Sequence, residues 1–215
     1  MRVISYSLFA PNGKAIADKY LSGLKANWVA KQQHFPEWEM MVYHDRNLPE
    51  THLEFMRESG IRHELRHPTR GAGEGYFWRF LPISDPECSI VLIRDMDSVL
   101  NVREKAAVQE WIGSDATFHV MRDHRNHRQP IMAGMWGCKR NPQIDVRQLM
   151  DSWHEFNRYG CDQRFLKHFV WPTIKESVMT HDSHPDWARV HAPEGLRPFP
   201  EHAEFDGFVG QVAFA

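Results

Sequence analysis

Hydrophobic and polar positions alternate between strand-like and helix-like patterns through the first half of the chain. Val3 to Phe9 has strand character and ends at Pro11-Asn12-Gly13, a turn signal. Ile16, Tyr20, Leu24 and Trp28 recur every four residues, the spacing of one helical face. Trp38 to Tyr43 reads as a second strand. Pro49 opens a helix carrying Leu53 and Met56, which Gly60 closes. Ile61 to Leu65 predicts a short third strand. Ser89-Ile-Val-Leu-Ile93 is unbroken and β-branched, as a strand covered on both faces of a parallel sheet requires. It runs directly into Arg94-Asp95-Met96-Asp97-Ser98. Asn101, with Glu104 three residues later, predicts a capping box at the start of the next helix.

The second half is less regular. Ala116, Phe118 and Val120 alternate like a strand, and a His- and Arg-rich loop then leads to Ile131-Met-Ala-Gly-Met-Trp-Gly137. Ile144, Leu149, Met150 and Trp153 suggest one helix, and Cys161 to Trp171 another, beginning after Gly160. From Pro172 onward, His, Pro and Asp are frequent and periodic signals few. Strand–helix alternation without a linker predicts one α/β domain with an open, mostly parallel sheet and right-handed crossovers.

Length and composition agree. A chain of 215 residues with 42% apolar and 25% charged residues supports a core within one domain. The formal net charge of −2 gives no general attraction for nucleic acid or anionic membranes. No segment approaches the roughly 20 consecutive apolar residues of a membrane helix, so no transmembrane segment is expected. Three widely spaced cysteines, without a CxxC pair, point to neither a thiolate zinc site nor a disulfide framework. With no signal-peptide pattern at the start, a cytoplasmic setting is the expectation.

Asp95-Met96-Asp97 carries the most chemistry. Residues i and i+2 of an extended backbone face one way, so both carboxylates converge. Their position just past a buried strand is the carboxyl edge of the sheet, where open α/β folds bind ligands. Two hard oxygen donors suit Mg²⁺ or Mn²⁺ bridging to substrate phosphates. The alternative is a solvated turn in which the Asp side chains cap local amides. The preceding strand and the following capped helix favour the metal.

Taken in order, YFWRFLP, RDMDS, MRDH, MAGMWG and YGCDQRFL resemble nucleotide-sugar-dependent glycosyltransferases of the GT-A fold. The glycogenin-like and lipopolysaccharide galactosyltransferase families are the most similar. Tyr76-Phe-Trp-Arg79, the apolar strand and Asp95-Met-Asp97 resemble their Tyr-x-Arg helix, strand and DxD. Met132-Ala-Gly134 resembles their Asn-Ala-Gly, Asp162-Gln163 their Asp-Gln, and His181 their late metal-binding histidine. Two departures stand out: Met132 replaces the Asn, and no Lys-Pro-Trp follows His181, leaving Arg197 as the nearest basic candidate.

The resemblance implies a metal-dependent transfer from a nucleotide-diphosphate sugar, UDP more than GDP, to a carbohydrate or glycoconjugate acceptor. It implies a Mn²⁺ or Mg²⁺ held by Asp95, Asp97 and His181. Tyr6, Ser7, Tyr76, Arg79, Asp95 and Met96 are then the donor-binding residues. Asp162 and Gln163 are catalytic, with retention of anomeric configuration favoured. Asp123, His124, Ala133 and Gly134 contact the sugar or acceptor. Residues 1–98 form the nucleotide-sugar half and 99–215 the acceptor and catalytic half. A catalytically silent sugar- or nucleotide-binding module remains a different class of reading, as does a metal-dependent nucleotidyltransferase or phosphoesterase.

Overall fold

Three parallel strands arise from the regular first half, each linked to the next by a helix on the sheet face. β1 (Arg2–Leu8), β2 (Glu39–His44) and β3 (Arg62–Leu65) are joined through α1 (Asp18–His34) and α2 (Glu50–Glu58). A 3₁₀ helix, Glu74–Ser84, then leads to β4 (Ile90–Arg94), which pairs in parallel with the other side of β1. The remaining elements are α3 (Val102–Ile112), β5 (Phe118–Arg122), β6 (Met135–Lys139), α4 (Val146–Asp151), α5 (Cys161–Phe165), α6 (Trp171–Ile174), β7 (Val178–Asp182) and β8 (Leu196–Arg197). The sheet order is β3-β2-β1-β4-β6-β5-β7-β8. β6 runs antiparallel to β4 and β5, and the other strand pairings are parallel. This computed structural model describes residues 1–141, 144–184, 196–201 and 205–214.

Alternate residues of the central strands feed two cores, one on each face of the sheet. Val3, Val91 and Ile93 join Phe77, Phe80, Trp136 and Phe165 on one face. Ile4, Tyr6 and Leu92 join Leu24, Val42 and Trp111 under α1 and α3 on the other. The three cysteines are buried and unpaired.

The second half departs from its sequence pattern where charges are buried in pairs. All five residues of β5 are buried, including Arg122, whose guanidinium meets Asp182 of β7. β7 itself gave no strand signal, because Thr180, His181 and Asp182 interrupt its apolar character while lying fully inside. The helix expected over Cys161 to Trp171 forms, but it widens to a π turn at Leu166–Val170, where Trp171 N–H donates to Leu166 O. Pro172, which has no N–H to continue an ordinary ladder, follows directly.

Two devices fix the segment that follows β4. The first is the capped start of α3. Asn101 Oδ1 accepts from Glu104 N at 2.9 Å, as the capping pattern predicts. The Glu104 side chain does not complete the box; it pairs with buried Arg94 instead. Arg94 also donates to Trp136 O at 2.8 Å, so the last residue of β4 is held from both α3 and β6. The second device is a clamp from α1. A Cβ on Gly23 would fall 1.8 Å from Met96 O, so the helix backbone rests directly on the Asp95–Asp97 turn. One helical turn on, Asn27 is fully buried and saturated. Its amide donates to Gly23 O, Met96 O and Ser98 O at 3.0, 3.1 and 3.0 Å. Its carbonyl accepts from Tyr6 Oη and Leu100 N at 3.1 and 3.2 Å.

Asn27→Leu keeps the volume but leaves the Tyr6 hydroxyl and the Leu100 amide buried without an acceptor. The expected loss is about 3 kcal/mol, read from urea unfolding, since each orphaned buried group costs roughly 1–3 kcal/mol. A loss under about 0.5 kcal/mol would remove the clamp assignment.

Acid sensitivity follows from the buried imidazoles. Burial pushes His119 well below its ordinary value, lowers His181, and takes His127 from 6.5 to about 4, with His124 adding to the last shift. These rings are neutral in the fold and charge in the unfolded chain. Their contribution is therefore complete above pH 6.5 and is lost as pH falls toward 4. Denaturant midpoints should drop between pH 7.5 and pH 4.5, and His127→Gln should flatten that slope.

Candidate functional site

The carboxyl ends of β1 and β4 and the start of α5 enclose a cleft of about 430 Å³. Ser7, Tyr76, Arg79, Asp95, Met96, Asp97, Ala133, Asp162 and Gln163 line it. The strand-then-DMD pattern thus places both carboxylates at the sheet edge, as its sequence context predicts.

Arg79 is the centre of the charge arrangement. Its side chain is 6% exposed and lies between Asp95 Oδ1 and Asp162 Oδ2, the latter at 2.8 Å. Burial by itself disfavours the guanidinium, but the two carboxylates outweigh it and raise its pKa. Burial pushes the Asp162 carboxyl up, with Arg79 opposing and nearby Asp95 adding to the rise. The backbone N–H of Arg79 donates to Ser7 Oγ at 3.0 Å, which ties the 3₁₀ helix to the end of β1. Tyr76 packs edge-on against Phe9, and burial raises its phenol to about 12, so it stands as a neutral hydrogen-bond donor.

Asp162 is the second residue of α5, after Gly160, whose φ of 72° puts it in the left-handed region. Its Oδ1 accepts from Gln163 N at 2.9 Å. Gln163 holds the loop before β6: its Oε1 accepts from Ala133 N at 3.0 Å and its amide donates to Ile131 O. Gly134 lies so close to Asp95 that a Cβ would fall 2.0 Å from Asp95 Oδ2. Met-Ala-Gly is therefore a backbone cradle for the first carboxylate of the pair.

Four of the expected site residues, and the basic candidate Arg197, lie away from the cleft. Tyr6 is fully buried on the α1 face, one residue before Ser7 and hence on the opposite side of the strand. His181 is buried with Nδ1 at 2.8 Å from His119 Nε2 and Nε2 at 3.3 Å from Glu110 Oε2. Its strand, β7, is separated from β4 by β5 and β6, so it does not join the Asp95–Asp97 pair. Asp123 is gripped by Arg103 at 2.7 and 2.9 Å and accepts from Val209 N at 2.9 Å, tying β5 to α3 and the last described segment. His124 stacks on Phe208 with ring centroids 4.4 Å apart. Arg197 faces Glu110, far from the lining.

Other lining residues were not read from the sequence as site residues. Lys19 and Tyr20 project from the first turn of α1, and Lys19 Nζ lies 2.6 Å from Asp97 Oδ2. Tyr159, at 96% exposure, forms the rim. Gly210 and Val212 cross the mouth, where Ala213 N donates to Asp97 O at 2.9 Å. Tyr20 carried only a helical-face signal, and the C-terminal residues carried none.

Asp95 Oδ2 and Asp97 Oδ1 accept no hydrogen bond from the described residues. These hard oxygens fit Mg²⁺ or Mn²⁺, ions that take one or two carboxylates and complete their shell with substrate phosphate and water. Among the described residues, no group of three or more His, Cys, Asp or Glu side chains forms a closed metal site. No helix among them is long and apolar enough to cross a membrane.

No protein-family model matches the chain, and no curated protein is similar to it in sequence. Solved structures are similar in fold. TarS residues 1–349 from S. aureus align with a TM-score of 0.54 at 15% identity, over 85% of this chain and 58% of that one. TarS has also been solved with UDP. A mannosyltransferase from Pyrobaculum calidifontis, in complex with GDP-Man and Mn²⁺, aligns with a TM-score of 0.53 at 13% identity, over 85% and 55% of the two chains. This chain thus spans little more than half the length of either. A proposed glucose-1-phosphate thymidylyltransferase from Bacillus anthracis aligns with a TM-score of 0.54 at 9% identity, over 94% and 98% of the two chains. Sheet order, mostly parallel pairing and these neighbours agree: the chain has the GT-A-like, nucleotide-diphospho-sugar transferase fold.

Proposed function

We propose that the protein is a metal-dependent glycosyltransferase that moves a sugar from a nucleotide-diphosphate sugar, UDP-linked in preference to GDP-linked, to a carbohydrate or glycoconjugate. One observation carries the reading: Asp95, Asp97, Arg79 and Asp162 converge from three separate elements on a single cleft at the carboxyl edge of the sheet. Residues 1–98 supply most of the donor side. Residues 99–215 supply the side facing the transferred sugar.

Asp95 and Asp97 would hold Mn²⁺ or Mg²⁺, which supplies charge neutralisation for the departing diphosphate. Arg79 fixes the rotamers of Asp95 and Asp162 from between them. Tyr76 offers a phenol to the donor. A second cavity of about 520 Å³, lined by Ala10, Gly13, Asp45, Asn47 and Thr69, lies across the β1–α1 loop from Phe9 and Pro11. It gives the nucleoside room beside the diphosphate. Asp162 is aimed into the cleft by α5 and Arg79 and faces the transferred sugar, a placement suited to retention. Gln163 keeps the Ala133–Gly134 wall in register.

The second reading is a metal-dependent nucleotidyltransferase. The near-equal length of the thymidylyltransferase-like neighbour favours it. The short Pro11–Gly13 turn, without a glycine-rich basic loop, weighs against it. Product analysis separates the two, because glycosyl transfer releases a nucleoside diphosphate and nucleotidyl transfer releases pyrophosphate.

Thermal shift with UDP- and GDP-sugars, with and without Mn²⁺, tests the donor site. A ligand at 100 times its Kd should stabilise the fold by about 2.7 kcal/mol. Asp97→Asn should abolish the Mn²⁺-dependent part while leaving the unliganded melting temperature within a few degrees. An unchanged shift in Asp97→Asn would contradict the metal assignment.

Asp162→Asn preserves an acceptor for Arg79 and removes the charge. Glycosyl transfer should fall a hundredfold or more, about 2.7 kcal/mol of barrier, with donor affinity retained. Turnover within about twofold of wild type would leave Asp162 a purely structural partner of Arg79. Product anomer by NMR reports retention or inversion.

A further inference from the structure

The cleft carries three carboxylates, Asp95, Asp97 and Asp162, against two cations, Lys19 and Arg79. A nucleoside diphosphate entering it meets a net negative wall, so some cation must turn toward the phosphates. Arg79 is not available. Its side chain is 6% exposed, and its two terminal nitrogens are committed to Asp95 and Asp162. Lys19 differs on every count. Its side chain is 33% exposed, it makes a single ion pair among the described residues, and its flexible stem starts in the first turn of α1 at the cleft mouth. Nζ sits 2.6 Å from Asp97 Oδ2 and 4.6 Å from the centroid of the Tyr20 ring. The oxygen it holds belongs to the carboxylate best placed, with Asp95, to bind a divalent cation.

Building on the donor-site reading above, we propose that Lys19 is an exchangeable counterion. It competes with the divalent cation for Asp97 and, once Asp97 is engaged by that cation, turns to the diphosphate of the nucleotide. Exchange of this kind makes cation and nucleotide binding mutually reinforcing, since each removes a partner that the other would have to displace. It also assigns the phosphate-binding cation of the cleft to helix α1 and not to the segments that follow β7. Tyr20 is suited to guide the exchange, because its ring face attracts the ammonium in either position.

The experiment measures three affinities on the full chain: Mn²⁺ alone by electron paramagnetic resonance, and UDP or GDP with and without Mn²⁺ by calorimetry. Lys19→Met removes the charge and keeps the stem. Lys25→Met, an exposed lysine on the same helix outside the lining, controls for net charge. The expected result is Mn²⁺ alone bound at least threefold tighter by Lys19→Met and nucleotide with Mn²⁺ bound at least tenfold weaker. Lys19→Arg should restore nucleotide binding, and Lys25→Met should match wild type. If Lys19→Met changes neither affinity, changes only one, or weakens Mn²⁺ alone, the exchange is overturned. Asp97→Asn keeps the two ideas apart. If Asp97→Asn loses Mn²⁺ and nucleotide while the Lys19 variants behave as wild type, only the exchange falls. If Asp97→Asn binds both as wild type does, or wild type binds no nucleotide, the donor-site reading falls and takes the exchange with it.

Discussion

Three carboxylates share one cleft, and their mutual repulsion is the constraint around which the surrounding structure is built. Asp162 is almost wholly buried, and Asp95 is close enough to push its pKa up further. Arg79 opposes that rise by lying between both, and its planar fork orients the pair. Because Arg79 comes from the 3₁₀ helix, Asp95 from the end of β4 and Asp162 from α5, the same ion pairs join elements from both halves of the chain. Removing the guanidinium would leave a buried carboxylate unpaired, a far larger loss than that of a surface salt bridge.

The Asp95–Asp97 turn owes its position to contacts behind it. Asn27 spends all its hydrogen-bonding capacity on Tyr6 and on the backbone of residues 23 to 100, and Gly23 lets α1 approach within contact distance of Met96. Arg94 and Glu104 perform a similar task from the α3 side. Contacts of this kind preorganise the backbone of the Asp95–Asp97 turn. The fold alone does not fix the chemistry, since neighbours with this architecture carry names from both sugar transfer and nucleotidyl transfer. The proposal of sugar transfer therefore rests on the side chains gathered in the cleft and on the Pro11–Gly13 turn.

His119 and His181 form a second polar pair, buried between β5 and β7 and reaching exposed Glu110 of α3, well away from the cleft. Together with Arg122–Asp182 and Arg103–Asp123 it replaces part of the apolar core beneath the second half of the sheet. These groups find their partners at long range, in one another and in backbone such as Pro130 O, Pro200 O and Val209 N, which explains why this half folds with so little hydrophobic periodicity.

The elements of the first half were legible because each rests on a local rule. An unbroken β-branched run buries as a central strand, Asn101 caps a helix, and two aspartates beyond a strand end reach the sheet edge. Cys161 to Trp171 likewise announced its helix. The placement of Ser7, Tyr76, Arg79, Ala133, Asp162 and Gln163 around one cleft agrees with the order of motifs along the chain. What the sequence did not determine depends on pairing at long range. β7 was invisible because its polar residues are inside only when β5 and α3 supply Arg122, His119 and Glu110. One step of strand parity sends Tyr6 into the α1 core while Ser7 faces the cleft, and three intervening pairings carry His181 away from Asp95. Lys19, 78 residues from Asp97, became part of the site only when α1 packed against the end of β4. Local sequence fixes which backbone a segment prefers, but the energy of a buried charge depends on partners far along the chain, and only the folded sheet brings those partners together.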